Sequence, residues 1–232
     1  MASLERAEVL ALAKPGGMPD QEVVERVLAG EVALYEILMR RYNQRLYRVA
    51  RAILGSDTEA EDVMQDAYVR AYVHLNQFAG RAKFSTWLTK IAVHEALARA
   101  RRTRRFEVVD SRMEPESDGM NYFASPTRDP ERQLFDQEMK ALLEAALDAL
   151  PDEYRSVFVL REAEGMSTAE TAEALGLSEE AVKTRLYRAR VMLQGDLFER
   201  VGASTRSAFE FHLSRCDRVV AEVFKRIAPA TA

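Results

Sequence analysis

The chain has 232 residues, enough for one large domain or two small ones, and its hydrophobic fraction of 47% can supply their cores. A net charge of −4 argues against a nucleic-acid partner unless the charges are segregated along the chain. The single cysteine, Cys216, excludes an internal disulfide and favours a reducing, cytoplasmic compartment, and neither a secretory signal nor a membrane-spanning segment is predicted.

Helical periodicity runs through almost the whole sequence, and strand-like alternation is absent. The predicted helical blocks run from near Asp20 to Gly55, from Asp57 to Leu75, and from Ser85 into a cluster of arginines. Residues 106–133 then combine prolines, serines and acids without periodicity, which predicts a flexible acidic linker.

Periodicity resumes at Leu134, and Pro151 marks a boundary between two further helices. The sequence thus predicts an all-α chain with two small helical domains joined by a flexible linker, plus a C-terminal helix. The predicted boundaries are 20–105 for the first domain, 106–133 for the linker, 134–197 for the second domain and 198–232 for the C-terminal extension.

Residues 166–193 have the pattern of a helix-turn-helix with a basic second helix. Ser167 and Glu170 have the spacing of a capping box, Gly176 suits the turn, and Ser178 can cap the second helix. The predicted buried stripe of that helix is Val182, Leu186, Ala189 and Leu193. A short cationic helix held in this way suits the DNA major groove; the alternative is a two-helix corner with a solvated basic face.

Charge is segregated along the sequence. Five acids and no base lie between Asp57 and Asp66, whereas five arginines and no acid lie between Arg99 and Arg105. Surfaces of opposite charge that are kept apart indicate two different partners.

Together these residues resemble the bacterial sigma-70 factors, and the short two-domain layout resembles their extracytoplasmic-function (ECF) group. The resemblance rests on residues 57–72, 84–93 and 150–193, in matching order within 20–197. It implies a promoter-specificity subunit that binds core RNA polymerase, recognises −35 and −10 promoter elements and initiates transcription. It implies no enzymatic activity, cofactor, metal, membrane or small-molecule substrate, and it admits an anti-sigma factor as a further partner.

Two other classes of function explain the sequence less completely. A polymerase-independent helix-turn-helix regulator is the alternative, although it would explain the basic helix and not the acidic helix or the arginine cluster. An enzyme is a distant third, because no nucleophile with a base, metal-ligand set or phosphate-binding loop is recognisable.

The resemblance assigns the acidic helix to polymerase docking. The matching positions are Asp62, Gln65, Asp66 and Val69. They step by three or four residues, so they share one face of a helix and combine carboxylates with an apolar contact.

The resemblance assigns the third block and the loop before it to −10 recognition and promoter melting. The matching positions are Phe78, Arg81, Lys83, Phe84, Trp87, Lys90, His94, Arg99, Arg101 and Arg102. Aromatic rings there would stack on unpaired bases and cations would neutralise the backbone, although the Trp87 ring could equally belong to the core. Ala79 and His94 stand where the family commonly has Arg and Asn, so the family's base preference is not carried over to these positions.

In the second domain the resemblance assigns −35 recognition to the basic helix. The matching positions are Glu180, Lys183, Thr184, Arg185, Arg188 and Arg190. Glu180-Ala181 replaces the usual Gly-Thr, and Glu180 could accept from a cytosine amino group or simply favour the positive end of the helix.

The linker and the C-terminal extension allow two interpretations each. The acidic linker either mimics nucleic acid inside the polymerase or is a plain tether. The extension carries an apolar stripe at Phe209, Leu213, Cys216, Val220, Val223 and Ile227, which must pack on something. We expect it to stabilise the second domain or, as our hypothesis, to cover the DNA surface; with only His212 nearby, Cys216 is expected to be a core residue and not a zinc ligand.

Overall fold

The computed structural model describes residues 6–107, except residue 15, and residues 130–207. Helices and turns make up these ranges, and no β-strand occurs within them. The helices before the predicted linker are α1 (Arg6–Ala13), α2 (Asp20–Leu28), α3 (Tyr35–Leu54), α4 (Asp57–Val73) and α5 (Phe84–Glu107), with short 3-10 turns at Val32–Leu34 and Leu75–Gln77. Those after it are α6 (Pro130–Asp148), α7 (Asp152–Phe158), a π-helical turn at Val159–Ala163, α8 (Thr168–Leu175) and α9 (Glu179–Ser207).

The first predicted block is divided in the structure. It begins at Asp20 as expected, but α2 stops at Leu28 and Gly30 adopts a left-handed conformation with φ of 105°. The guanidinium of Arg26 reaches across this break to the Glu31 carboxylate, with Nε 2.9 Å from Oε1. α1 was not predicted at all.

Local capping explains the other boundaries. Gly55 ends α3 in the left-handed conformation, with φ of 73°, and the Ser56 hydroxyl then accepts from the backbone N–H of Glu59 to start α4. The predicted boundary at Pro151 is confirmed, since α6 ends at Asp148 and α7 begins at Asp152. α6 begins at Pro130, four residues before periodicity resumes, because proline is favoured at the first position of a helix.

The helix-turn-helix has the predicted caps. The Ser167 backbone N–H donates to Oε2 of Glu170 at 2.7 Å, and the Glu170 N–H returns to the Ser167 hydroxyl at 3.1 Å, forming the capping box. Gly176 ends α8 with φ of 66°, and the Ser178 hydroxyl accepts from the Ala181 N–H at 3.2 Å. All four residues of the predicted stripe are buried: Val182, Leu186, Ala189 and Leu193.

The first of the hydrophobic clusters lies among α2, α3, α4 and α5. Its largest fully buried members include Ile37, Leu38, Leu46 and Leu88. These are the apolar faces that the helical periodicity indicated, and their burial fixes which sides of α4 and α5 remain exposed.

A second cluster is shared between residues that lie far apart in the sequence. Its members from α3, α4 and α5 are Val49, Ala50, Ile53, Ala60, Val63, Val93 and Ala96, and its members from beyond the linker are Leu160, Met166 and Ala174. The helix-turn-helix region therefore packs on the α3–α5 bundle, an arrangement the sequence did not predict.

Polar contacts surround this shared cluster. Arg155, with 7% of its side chain exposed, donates from Nε to the Ala52 carbonyl at 2.8 Å and from Nη2 to Oδ1 of Asp152 at 2.6 Å. The Glu164 carboxylate, 3% exposed, pairs with Arg45 and Arg48 of α3. Burial of these charges is tolerated because each has an opposite charge or a carbonyl as its partner.

Within the described ranges, residues up to Leu193 belong to one compact unit and residues from Gln194 to a second. The predicted end of the second domain at residue 197 falls inside α9, which continues to Ser207. The predicted domain boundaries therefore stay predictions. The apolar stripe of the C-terminal extension, with His212 and Cys216, lies outside the described residues, as do the linker acids after Glu107.

Replacing Arg155 with alanine should lower the free energy of unfolding by about 2 kcal/mol, because the buried Ala52 carbonyl loses its charged donor. Urea unfolding followed by circular dichroism measures the change. The matched control is Arg40→Ala, which removes an i,i+4 pair with Glu36 that is open to solvent and should cost about 0.5 kcal/mol or less. Equal losses in the two variants would contradict the role given to Arg155.

The capping box predicts an acid-sensitive stability. The backbone N–H of Ser167 lowers the pKa of the Glu170 carboxyl below its ordinary value of 4.5, against a smaller opposing effect of burial. Since the pKa is lower in the folded state, this stability is fully present above pH 4.5 and is lost as the pH falls through the folded pKa. Glu170→Gln should flatten the acid limb of a stability–pH profile measured by urea unfolding.

Ser167→Ala is the control for that experiment. It keeps the backbone N–H and so most of the acid limb, but removes the acceptor for the Glu170 N–H and should lower stability by about 1 kcal/mol at neutral pH. An acid limb unchanged in Glu170→Gln would show that this carboxylate does not contribute to it.

Candidate docking and nucleic-acid interfaces

A groove of about 930 Å³ runs between α3 and α4. Its lining includes the four tyrosines Tyr35, Tyr47, Tyr68 and Tyr72, together with Met39, Met64, Gln65 and Val69. Gln65 and Val69 are predicted docking residues, and the other two, Asp62 and Asp66, are exposed on the same helix. All four are thus exposed on α4, but only Gln65 and Val69 line the groove, whose carboxylates are those of Glu36 and Glu61.

Buried tyrosines hold the wall of the groove. The Tyr35 hydroxyl donates to the Tyr68 carbonyl, and the Tyr68 hydroxyl donates to the Met39 carbonyl, both at 2.9 Å. Burial raises the pKa of both phenols, so they remain neutral donors. These hydroxyls are used within the protein, so the two tyrosines present mainly ring surface to the groove, whose lining also contains the carboxylates of Glu36 and Glu61.

Exposed apolar side chains continue beyond the predicted docking residues. Val69 is 65% exposed, and Val32, Met39, Tyr72 and Val73 are also exposed. Adjacent exposed apolar groups of this kind mark an interaction surface. Sequence reasoning missed Tyr72 and Val73, although their spacing of three and four residues from Val69 was the signal for them; Val32 and Met39 come from other elements and gave no such signal.

An aromatic cluster lies where the loop before α5 enters the helix. Phe78 and Phe84 have ring centroids 5.3 Å apart, and each centroid is 5.6 Å from that of Trp87. A smaller cavity of about 290 Å³ opens beside it, lined by Gln77, Phe78, Ala79, Arg81, Ala82 and Trp87. The predicted loop therefore has a pocket with an aromatic wall.

Two aromatic predictions need refinement. Phe84 is only 2% exposed, so its ring has no free face on which a base could stack. The prediction that Phe84 contacts DNA is therefore corrected: its ring packs against those of Phe78 and Trp87 and supports them. Trp87 is half-buried: it packs against the first hydrophobic cluster and also lines the cavity. The ring is therefore partly a core residue and partly available for stacking, the two interpretations that the sequence left open.

The cations predicted for the −10 surface fall into two groups. Arg81, Lys83, His94, Arg101 and Arg102 are exposed. Lys90 and Arg99 are partly buried and ion-paired: Nζ of Lys90 lies 2.6 Å from Oε2 of Glu173, and Nη2 of Arg99 lies 2.6 Å from Oδ2 of Asp62. The Glu173 partner belongs to α8, so the first helix of the helix-turn-helix covers part of α5. The side chains of Arg104 and Arg105 lie outside the described residues.

The basic helix α9 presents its predicted side chains to solvent. Glu180, Lys183, Thr184, Arg188 and Arg190 are exposed, and Arg185 is partly so. Two of these cations form ion pairs with acids of the same chain: Arg185 pairs with Glu153 at 3.2 Å and Arg190 with Glu162 at 2.6 Å. Tyr187, 69% exposed on the same helix, was not among the predicted DNA contacts.

None of the helices in the described ranges is long and apolar enough to cross a membrane. Over the same residues, no group of three or more His, Cys, Asp and Glu side chains is arranged to hold a metal ion.

Comparison with known proteins agrees with this layout. Residues 38–106 match the sequence profile of sigma-70 region 2, and residues 140–193 match that of sigma-70 region 4. The ECF RNA polymerase sigma factor SigW of Bacillus subtilis (strain 168) is 30% identical over 177 residues, which are 75% of this chain and 94% of SigW. The ECF sigma factor SigE of Mycolicibacterium smegmatis is 29% identical over 210 residues, 90% of this chain and 79% of that protein.

Among solved structures, the sigma factor RpoE of Bartonella quintana, crystallised with the anti-sigma factor NepR, has the same fold. Its TM-score is 0.57 at 22% identity, over 70% of this chain and 96% of RpoE. From the two matched regions and the similarity to SigW along nearly its whole length, the chain belongs to the extracytoplasmic-function group of the sigma-70 family.

Proposed function

We propose that three surfaces divide the work of this promoter-specificity subunit. The groove between α3 and α4 docks on core RNA polymerase, the loop before α5 and the exposed face of α5 engage the −10 element, and α9 reads the −35 element. The observation that carries the proposal is the exposed apolar groove beside α4, the helix on which Asp62 and Asp66 are exposed, because DNA binding alone does not require an apolar protein-binding surface.

Docking combines two kinds of contact. The rings and hydrocarbon of the groove can bury apolar surface of a partner, which provides affinity. Carboxylates at its rim can orient a basic partner and raise the association rate. This combination suits a specific protein interface better than an acidic face that serves only solubility.

The −10 surface has the features expected for unpaired bases. The cavity beside Phe78 and Trp87 offers an aromatic wall on which a base can stack, and Arg81 lies at its edge. A flipped base needs such a pocket, and exposed cations along α5 can follow the sugar-phosphate backbone.

The −35 surface is the outer face of α9. The Ser178 cap at its start and its buried stripe hold Lys183, Arg185 and Arg188 in fixed register, as major-groove readout requires. Arg190 lies farther along the helix and is the better candidate for a phosphate. The two roles considered for Glu180 stay open.

The proposal places the chain in the cytoplasm with the polymerase and gives it no catalytic chemistry of its own. A separate anti-sigma factor that covers one of these surfaces is part of the proposal. The alternative, a regulator that acts without polymerase, is distinguished by run-off transcription with and without purified core enzyme.

Reversing the charge of both docking acids, Asp62→Lys with Asp66→Lys, should abolish binding to core polymerase, because like charges would then face a basic partner. The fold should persist, since both side chains are exposed. Core affinity is measured by fluorescence anisotropy of labelled full-length chain, with circular dichroism as the fold check. Glu22→Lys with Glu25→Lys on α2 changes charge equally and is the control. Wild-type core affinity in the docking variant would contradict the assignment.

Arg185→Ala and Arg188→Ala should each reduce −35-dependent transcription, with a loss of about 1–3 kcal/mol if a bidentate base contact is broken. The measurement is run-off transcription from matched promoters with intact and scrambled −35 elements. Arg200→Ala, on the same helix beyond the predicted reading face, is the control. If both reading-face variants keep the wild-type preference for the intact element, α9 is not the reader.

A further inference from the structure

One ion pair joins the candidate docking surface to the candidate −10 surface. Nη2 of Arg99 on α5 lies 2.6 Å from Oδ2 of Asp62 on α4, and Nε of Arg99 lies 3.4 Å from Oε1 of Glu59. Asp62 belongs to the docking set and Arg99 to the DNA set. Asp62 would therefore meet a cation of the polymerase, and Arg99 a phosphate of DNA, while the two side chains are paired with each other.

External groups can replace either partner of the Asp62–Arg99 ion pair. The side chain of Asp62 is 49% exposed and that of Arg99 is 32% exposed, so water and external partners reach both. An ion pair in this setting changes an equilibrium constant by about fivefold at most. That is too little to hold the fold together, but enough to bias which partner each side chain takes.

Neighbouring residues on the same two helices lack this link. Asp66 lies one turn from Asp62 on the docking face, and within the described residues it forms no ion pair. Arg102 is exposed on α5 and likewise has no ion-pair partner in the part of the chain that the structure describes. Asp62 and Arg99 are thus the members of the two sets that contact each other directly.

We propose that Arg99 couples polymerase docking to promoter binding: a cation of the core enzyme that engages Asp62 weakens its hold on Arg99, which then binds a DNA phosphate. The coupling rests on the proposed function of the two surfaces. By thermodynamic linkage, a DNA strand that engages Arg99 strengthens core binding by the same factor. Core and promoter thereby favour each other's binding through one shared arginine.

The first test uses the full-length chain and a labelled single-stranded DNA oligonucleotide without polymerase. Asp62→Asn and Asp66→Asn each remove one negative charge from the same face of α4, but only the first removes the shorter ion pair of Arg99, which then keeps its 3.4 Å contact with Glu59 alone. Asp62→Asn should therefore tighten binding at low salt by up to about fivefold more than Asp66→Asn. Its log–log salt dependence should steepen by about 0.7, the value for one added phosphate contact on a single strand.

A double variant isolates the arginine. Adding Arg99→Gln to Asp62→Asn should abolish the extra gain, whereas adding Arg102→Gln should leave the difference between Asp62→Asn and Asp66→Asn in place. Equal gains in Asp62→Asn and Asp66→Asn would overturn the proposal, as would a gain that survives Arg99→Gln. Circular dichroism melts verify that the compared variants are equally folded.

The second test measures core affinity in the absence of DNA. Arg99→Gln should bind core more tightly than Arg102→Gln, by up to about fivefold, because Asp62 no longer has an internal partner. Weaker core binding by Arg99→Gln would mean that Arg99 positions Asp62 for docking, which reverses the sign of the coupling and overturns the proposal. The oligonucleotide test contains no polymerase, so it measures the restraint of Arg99 by Asp62 separately from docking, whose failure the Asp62→Lys with Asp66→Lys variant would show by itself.

Discussion

The packing of the helix-turn-helix region on the α3–α5 bundle depends on the contact between the Arg155 guanidinium of α7 and the C-terminal end of α3. A helix leaves its last carbonyls without partners, and a buried cation requires acceptors on every side. Arg155 meets both needs at once, since it donates to the Ala52 carbonyl of α3 and to the carbonyl and carboxylate that flank the α6–α7 turn. A side chain on Gly55 would approach Nη2 of Arg155 to 3.4 Å, so the end of α3 and the arginine are closely matched.

This contact fixes where the following residues lie. With α7 held against the end of α3, the π-helical turn places Leu160 in the shared cluster, and Met166 follows it there. The capping box begins at the next residue, so the start of α8 is fixed against α5, where Glu173 reaches Lys90. The helix-turn-helix is therefore positioned on the α3–α5 bundle by packing and capping together, and part of the candidate −10 surface is covered by it.

The same network explains how a chain of net charge −4 can carry DNA-binding surfaces. Lys90, Arg99, Arg185 and Arg190 are each paired with a carboxylate of the chain itself. Pairs this exposed contribute little to stability, so a phosphate can replace the carboxylate at small cost. Under the proposed function, these internal acids would lower the attraction to DNA in general, and binding would depend on contacts that a promoter and polymerase supply together.

Local signals in the sequence predicted what is local in the structure. Ser167, Glu170, Gly176 and Ser178 act within four residues of themselves, so their geometry follows from spacing alone. The contact of Arg155 with Ala52 spans 103 residues, and no spacing rule reaches that far. The same limit explains Phe84, which looks like an exposed loop aromatic in the sequence and is buried because α3 and the loop at Phe78 cover it.

The groove between α3 and α4 shows how internal bonding shapes an external surface. Had the hydroxyls of Tyr35 and Tyr68 been free, a partner would have needed to satisfy them on docking; because both donate to backbone carbonyls, that requirement is absent. Apolar contact could then supply affinity with little dependence on salt, while the exposed acids of α4 would supply orientation and a salt-dependent contribution. Under the proposed function, affinity and specificity for the polymerase would in this way be carried by different side chains of the same two helices.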